Sequence, residues 1–241
     1  MKRFQKFTQS RFKHLKHLLK RYASIQDPET LHLIRVEIKR IKSALQVIGF
    51  SEKNFKAHRA FLPFRDIFRK AGAIREPQVL AELLVRHNVH GVSTVPLSKD
   101  LNAAETFLHD LTVFLENIQR YKGGIIEAAR KTRKKDFRKY INNEIKGVKH
   151  GLCPKVIEED LHKVRKRAKN IIYMSAVRKI IKKKYRKFLA DLEEIVGGWH
   201  DKQIVMKIIG GENDAKLKLQ SMADDDVTSI GQLAAKFYQT K

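Results

Sequence analysis

Leu31-His32-Leu33-Ile34-Arg35-Val36-Glu37-Ile38-Lys39 is the stretch on which the reading of this chain turns, because its pattern returns as Leu161-His162-Lys163-Val164-Arg165-Lys166-Arg167-Ala168-Lys169. The shared form is L-H-x-x-R-x-x-x-K, and His162 follows His32 by 130 positions. A second pair lies downstream in the same order. Gly72-Ala73-Ile74-Arg75-Glu76-Pro77-Gln78-Val79 is similar to Gly197-Gly198-Trp199-His200-Asp201-Lys202-Gln203-Ile204, 125 positions later. Two ordered, self-similar pairs point to an internal duplication. The expected organisation is two related helical bundles, 1–122 and 123–241, separated at Lys122-Gly123-Gly124, with a pseudo-two-fold axis bringing their equivalent faces together.

Wound at about 100° per residue, His32, Arg35, Lys39 and Lys42 fall within an arc of roughly 80°. Leu31, Ile34, Ile38, Ile41, Leu45 and Ile48 fill the adjoining arc, so this cationic stripe borders the expected buried face. Charges that only solubilise a helix occupy its far side; cations beside an apolar seam line a groove. Spaced Arg, Lys and His donors there suit successive phosphate oxygens, and partial burial weakens the screening of each contact. The second stripe is shorter, because Asn170 stands at the counterpart of Arg40 and Ile172 at that of Lys42. Arg133 is expected in the apolar arc of a helix over 124–149, with Arg130 at its edge, and both are assigned to the same basic surface.

Lys and Arg number 51 against 26 Asp and Glu, a net charge of +25 on 241 residues. A surface so cationic gathers anions, and composition alone leaves nucleic acid, an acidic membrane surface and a phosphate polymer open. The hydrophobic fraction of 42% is that of a chain that folds. Cys153 is the only cysteine, which excludes an internal disulfide framework and suits a reducing compartment. The first residues show no secretory pattern and no stretch is long and apolar enough to span a bilayer, so a cytoplasmic location is expected.

Helical periodicity dominates, and the expected class is all-α. The spacing predicts helices over 3–25, 29–49, 52–71, 77–87, 98–121, 124–149, 155–182, 184–196, 202–210, 212–222 and 226–239. Asp27-Pro28 reads as a helix start, Gly49 as a helix end, Pro63 as a kink or split, and His90-Gly91-Val92-Ser93 and Gly210-Gly211 as breaks. Pro77 and Asp201 are read as marking helix starts, and Trp199 as core.

The chain carries no Walker-type loop, nucleophile elbow, zinc-protease helix or paired acidic motif for catalytic magnesium. Basic residues without a nucleophile or metal bind phosphate but do not transfer it, so the expectation is a binding module, with no catalytic residues and no cofactor. His87 with His90, and His14 with His17, lack a third ligand and are not read as metal sites. The runs 130–135 and 182–187 carry the alternative reading, a nucleic-acid-binding protein using exposed Lys and Arg.

At the repeated stretch the chain resembles the CHAD family, the conserved histidine α-helical domain, whose hallmark helix reads roughly H-x-x-R-x-x-x-(K/R)-(K/R) in each half. His32, Arg35, Lys39 and Arg40 match the first copy, and His162, Arg165 and Lys169 the second, with Tyr173 as the tyrosine that follows it. The family's Gly-x-x-Arg-Asp segment is answered by Gly72, Arg75 and Glu76, and its Gly-x-x-Asn-Asp segment by Gly197, His200 and Asp201. Glu76, His200, Asn170 and Ile172 depart from the pattern. The resemblance implies two helical bundles around a basic central groove or pore that binds inorganic polyphosphate without catalysis, and association with polyphosphate granules. Together with the residue reading it makes His32, Arg35, Lys39, Arg40, Lys42, His162, Arg165, Lys169, Arg130 and Arg133 the expected contacts.

Overall fold

The computed structural model describes residues 2–89, 102–153, 155–178, 180–209 and 214–239. Its described elements are all helices: α1 (Lys2–Ile25), α2 (Pro28–Ser51), α3 (Ala57–Arg86), α4 (Ala103–His109), α5 (Leu111–Lys131), α6 (Lys134–His150), α7 (Glu158–Ser175), α8 (Lys183–Ile209) and α9 (Asp214–Gln239). They fall into two compact units, Met1–Ala81 with Ser93–Tyr140, and Glu82–Val92 with Ile141–Lys241.

In the first unit α1 packs on α2 and α5. Gln26 takes a left-handed φ of 52° and returns its N–H to the Tyr22 carbonyl, ending α1. Asp27 then accepts the Thr30 N–H at 2.8 Å, with Pro28 at the first helical position, so α2 starts where the sequence places it. Leu31, Ile34, Ile38, Ile41, Leu45 and Ile48 are all buried, as the periodicity requires. They join a core that includes Phe4, Leu15, Tyr22, Phe107 and Phe114, with Tyr22 and Phe114 both packing on the Phe107 ring.

In the second unit α7 packs on α8, and α8 on α9. Leu161, Val164, Ala168, Ile171 and Met174 form the buried stripe of α7. Glu158, Glu159 and Asp160 occupy its first turn, where negative charge meets the positive end of the helix dipole. The Trp199 ring is buried, as expected of a core residue.

Several expected breaks are absent. Pro63 and Pro77 both lie inside α3, which merges the helices predicted over 52–71 and 77–87, so Pro77 starts nothing. Each proline strips the donor from a carbonyl four residues earlier, at Arg59 and Ala73, and both of those residues are exposed, so water can satisfy them. Gly123-Gly124 lies within α5, and the break falls instead at Thr132 and Arg133. A glycine costs about 1 kcal/mol inside a helix, and burial of Ile118, Ile125 and Ala129 on either side holds α5 through the pair. Gly197-Gly198 sits inside α8 between buried Val196 and Trp199, so Asp201 is interior and caps no helix. Likewise α9 runs unbroken through Asp224-Asp225-Asp226. α2 continues past Gly49 to Ser51, with Gly49 close against Ala57. Conversely, Asp110 splits the helix predicted over 98–121 into α4 and α5, and α7 stops at Ser175. The breaks expected at His90–Ser93 and Gly210-Gly211 lie outside the described residues.

Candidate anion-binding faces

The cationic stripe of α2 faces α3, and aromatic rings meet it there. The Arg35 guanidinium lies 4.4 Å from the centre of the Phe68 ring, Lys39 Nζ 5.7 Å from the same ring, and Lys42 Nζ 5.2 Å from that of Phe61. Phe61 and Phe68 are two helical turns apart on α3 and match the pitch of the cations opposite. Cations over ring faces are attracted by the π quadrupole while keeping their full formal charge.

Arg35 is 16% exposed and donates through Nη2 to Glu76 Oε1 at 2.9 Å. Its Nη1 is buried and has no acceptor among the described residues. Gly72 is buried, and a Cβ on it would overlap the guanidinium, so the fork lies flat on a glycine backbone. The first motif thus supplies a fork with one arm tied to a 69% exposed carboxylate and one donor unused. His32 stands exposed one turn before Arg35.

Arg40 turns the other way. Its Nη1 donates to Glu37 Oε2 at 3.0 Å, and Glu37, only 1% exposed, also takes Arg11 of α1 at 3.0 Å and His14 of α1 at 3.2 Å. A buried carboxylate of this kind requires compensating cations. His14 therefore has a structural partner.

In the second unit the His162 and His200 rings lie 5.6 Å apart between centres, tilted by 40° to each other. Both are held below the ordinary histidine value, first by burial and then by neighbouring cations: Lys166 and Arg165 for His162, and chiefly Arg165 for His200. Arg165 Nε is buried without an acceptor among the described residues, and a Cβ on Gly197 would rest 3.8 Å from Arg165 Nη2. Lys169, however, is paired with Glu193 of α8 at 2.9 Å. Asp201 lies 4.0 Å from Arg86. Lys202, buried, donates to Asp226 of α9 at 2.7 Å.

Arg130 and Arg133 do not lie in or beside a buried apolar arc. Both are well exposed, and each pairs within its own turn, Arg130 with Glu127 at 2.6 Å and Arg133 with Asp136 at 2.7 Å. The arc computed for one continuous helix fails because the chain breaks at Thr132, which resets the rotational phase between α5 and α6. Lys187 in the other basic run is likewise exposed and paired, with Asp191 at 3.6 Å.

A groove of about 430 Å³ between α1 and α5 is lined by Lys6, Lys13, Lys16 and Lys122 over Phe12 and Ile118, and no motif residue enters it. Its cations are lysines, with no guanidinium fork among them. Among the described residues no group of His, Cys, Asp and Glu is arranged to hold a metal ion. His90 lies outside them. No described helix is long and apolar enough to cross a membrane.

Residues that reading the sequence missed are Phe61, Phe68, Glu37, Glu193 and Glu144. The seven-residue spacing of the two phenylalanines was the available signal for the first pair.

The CHAD domain family model matches residues 9–208. No curated protein matches the chain. Among solved structures it is similar to the crystal structure of the CHAD domain from the plant Ricinus communis, at 17% identity and a TM-score of 0.70, covering all of this chain and 92% of that one. The match over most of the length, on an all-helical fold that carries the twinned histidine helices, places this chain in the CHAD domain family.

Proposed function

We propose that this protein binds inorganic polyphosphate without catalysis, by electrostatics and hydrogen bonds from His32, Arg35, Lys39 and Lys42 of α2, with His162, Arg165 and Lys169 of α7 as the second set. The observation that carries the reading is the row on α2: cations at helical spacing, seated on Phe61 and Phe68, with Arg35 Nη1 a buried donor lacking an acceptor among the described residues. A buried unsatisfied donor costs free energy that an anionic oxygen recovers. Phosphates strung on one chain present such oxygens repeatedly. No base-reading feature is needed, and capture is independent of any sequence in the ligand. Family membership supports the same ligand class, and a site in the cytoplasm or on polyphosphate granules follows as part of the proposal.

The reading is tested by titrating short and long inorganic polyphosphate into wild type and an Arg35→Ala/Arg165→Ala variant. Affinity should rise with chain length before levelling, fall with added salt, and drop about tenfold or more in the variant, as expected when charge-assisted hydrogen bonds are lost. Equal binding by both proteins would refute the site. Nucleic acid is the competing ligand. Its candidate runs spend Arg130, Arg133 and Lys187 on local carboxylates, so duplex DNA should displace long polyphosphate poorly at equal phosphate concentration.

A further inference from the structure

We propose that the groove between α1 and α5 is a docking site for an acidic amphipathic helix of another protein. No motif residue lines it, so the inference stands apart from the polyphosphate reading.

The groove runs beside Lys6 to Lys16 on α1 and Leu115 to Ile126 on α5. At the rise of an α-helix those stretches are about 15 Å long, close to three turns. Phe12 and Ile118 are buried at its base and Leu115 and Ile126 are half-buried along it, so an occupant gains by turning apolar groups toward the floor. Lys6, Lys13 and Lys16 stand exposed on the α1 wall, and Lys122 is half-buried on α5, one turn from Ile118 and from Ile126. None of these four lysines has an ion-pair partner among the described residues, and no Asp or Glu lines the groove. α1 carries no acidic residue anywhere along Lys2–Ile25.

Charge and floor together select the occupant. The lysines are spread along the whole groove, so an alkyl chain with one terminal carboxylate would meet one of them and leave the rest unmatched. A polyphosphate chain carries anions along its length but has no apolar face to lay on the floor. An acidic membrane surface meets the exposed lysines and leaves the recessed floor uncovered, and the apolar side of α1 is already committed to the core through Phe4, Leu15 and Leu19. A three-turn helix with an apolar stripe flanked by Asp or Glu meets both requirements: the stripe enters the groove while the carboxylates reach the lysines. Lys122 gains most, because solvent and salt screen a half-buried charge least.

The test uses the full chain and a fluorescein-labelled synthetic peptide of about 18 residues, long enough to hold a helix when bound, with leucines on one helical face and glutamates beside them. Fluorescence anisotropy should show it binding at least about tenfold tighter than a scrambled peptide of the same composition, which keeps the charge and loses the stripe. The same leucine face flanked by lysines should not bind. Lys6→Glu/Lys13→Glu alters exposed side chains only and should weaken binding of the acidic peptide about tenfold. Ile126→Ala, which shortens the floor, should weaken it about fivefold. The charge-reversed variant should keep its affinity for long-chain inorganic polyphosphate within about threefold, since its lysines lie outside the motif row. Circular dichroism checks the fold of each variant, and if Ile126→Ala fails to fold the charge-reversed variant decides. Equal affinity for the scrambled peptide, or binding that neither variant weakens, overturns the proposal. So does any result that gives the groove another occupant. Those results are dodecanoate or acidic phospholipid vesicles bound by wild type and lost in Lys6→Glu/Lys13→Glu while the peptide does not bind, self-association of wild type that the same variant abolishes, and a polyphosphate affinity that falls as far as the affinity for the peptide.

Discussion

The two motif helices are tied to the helices that precede them by the same link with its polarity reversed. On α2 the anion belongs to the motif helix: Glu37 is buried and accepts Arg11 and His14 from α1. On α7 the counterpart of Glu37 is Arg167, which reaches Glu144 of α6 at 3.3 Å, and Glu144 stands at the counterpart of His14. The duplication has kept the cross-link and not the residues. This accounts for one departure from the family pattern. Arg40 serves Glu37 from its own helix; with the carboxylate moved to α6, its counterpart Asn170 still donates to it, through Nδ2 to Glu144 at 3.3 Å. The two links also differ in burial, because Arg167 is far more open to solvent than Glu37, and buried charge is what makes such a link consequential.

The largest expected effect follows from that difference. Glu37→Ala removes the buried anion that Arg11 and Arg40 share and should cost about 3 kcal/mol of stability. Glu144→Ala should cost about 1 kcal/mol or less. Denaturant unfolding of both variants checks the contrast, and equal losses would break it.

Next come the two glycines under the motif arginines. In Gly72→Ala the new Cβ displaces the Arg35 guanidinium from its seat, whereas in Gly197→Ala it meets Arg165 at ordinary contact distance. Gly72→Ala should weaken polyphosphate binding about fivefold, short of the full loss of an arginine contact. Gly197→Ala should bind like wild type and gain about 0.5 to 1 kcal/mol from helix propensity. Calorimetric titration and thermal melts of the pair separate the two roles.

A smaller effect depends on pH. His87, His162 and His200, all in the second unit, are held below their ordinary value of 6.5, burial being the leading cause for each. Below 6.5 the unfolded chain takes up protons that the folded one refuses, so stability is complete above that pH and declines as pH falls toward the depressed folded values. Unfolding free energy measured from pH 7.5 to 5 should show this slope, and His200→Asn should flatten it. A slope unchanged in His200→Asn would remove the His162–His200 pair from the explanation.

Smallest of all, Arg133→Ala should shift stability by less than about 0.5 kcal/mol, because an exposed pair within one helical turn contributes little. Its polyphosphate affinity should move less than about twofold, against about tenfold for the loss of a motif arginine.

The α2 face was legible from sequence because it depends on local geometry: every apolar residue of its predicted arc is buried, and its cations lie beside them. The continuity of α3, α8 and α9 was not legible. Pro63, Pro77 and Gly197-Gly198 carry strong local preferences against helix, and packing of the flanking residues overrides them. The apolar-arc position expected for Arg133 fails for a related reason, since rotational phase holds only as far as a helix is unbroken.

The sequence by itself determined the helical class, the duplicated motif and the spacing of the cations, because all three follow from the 3.6-residue period and from residue identity. Only the tertiary structure decided which cations are held on phenyl rings, which are tied to carboxylates and which anion is buried. Those outcomes depend on side chains meeting across helices far apart in sequence, and no local rule specifies that register.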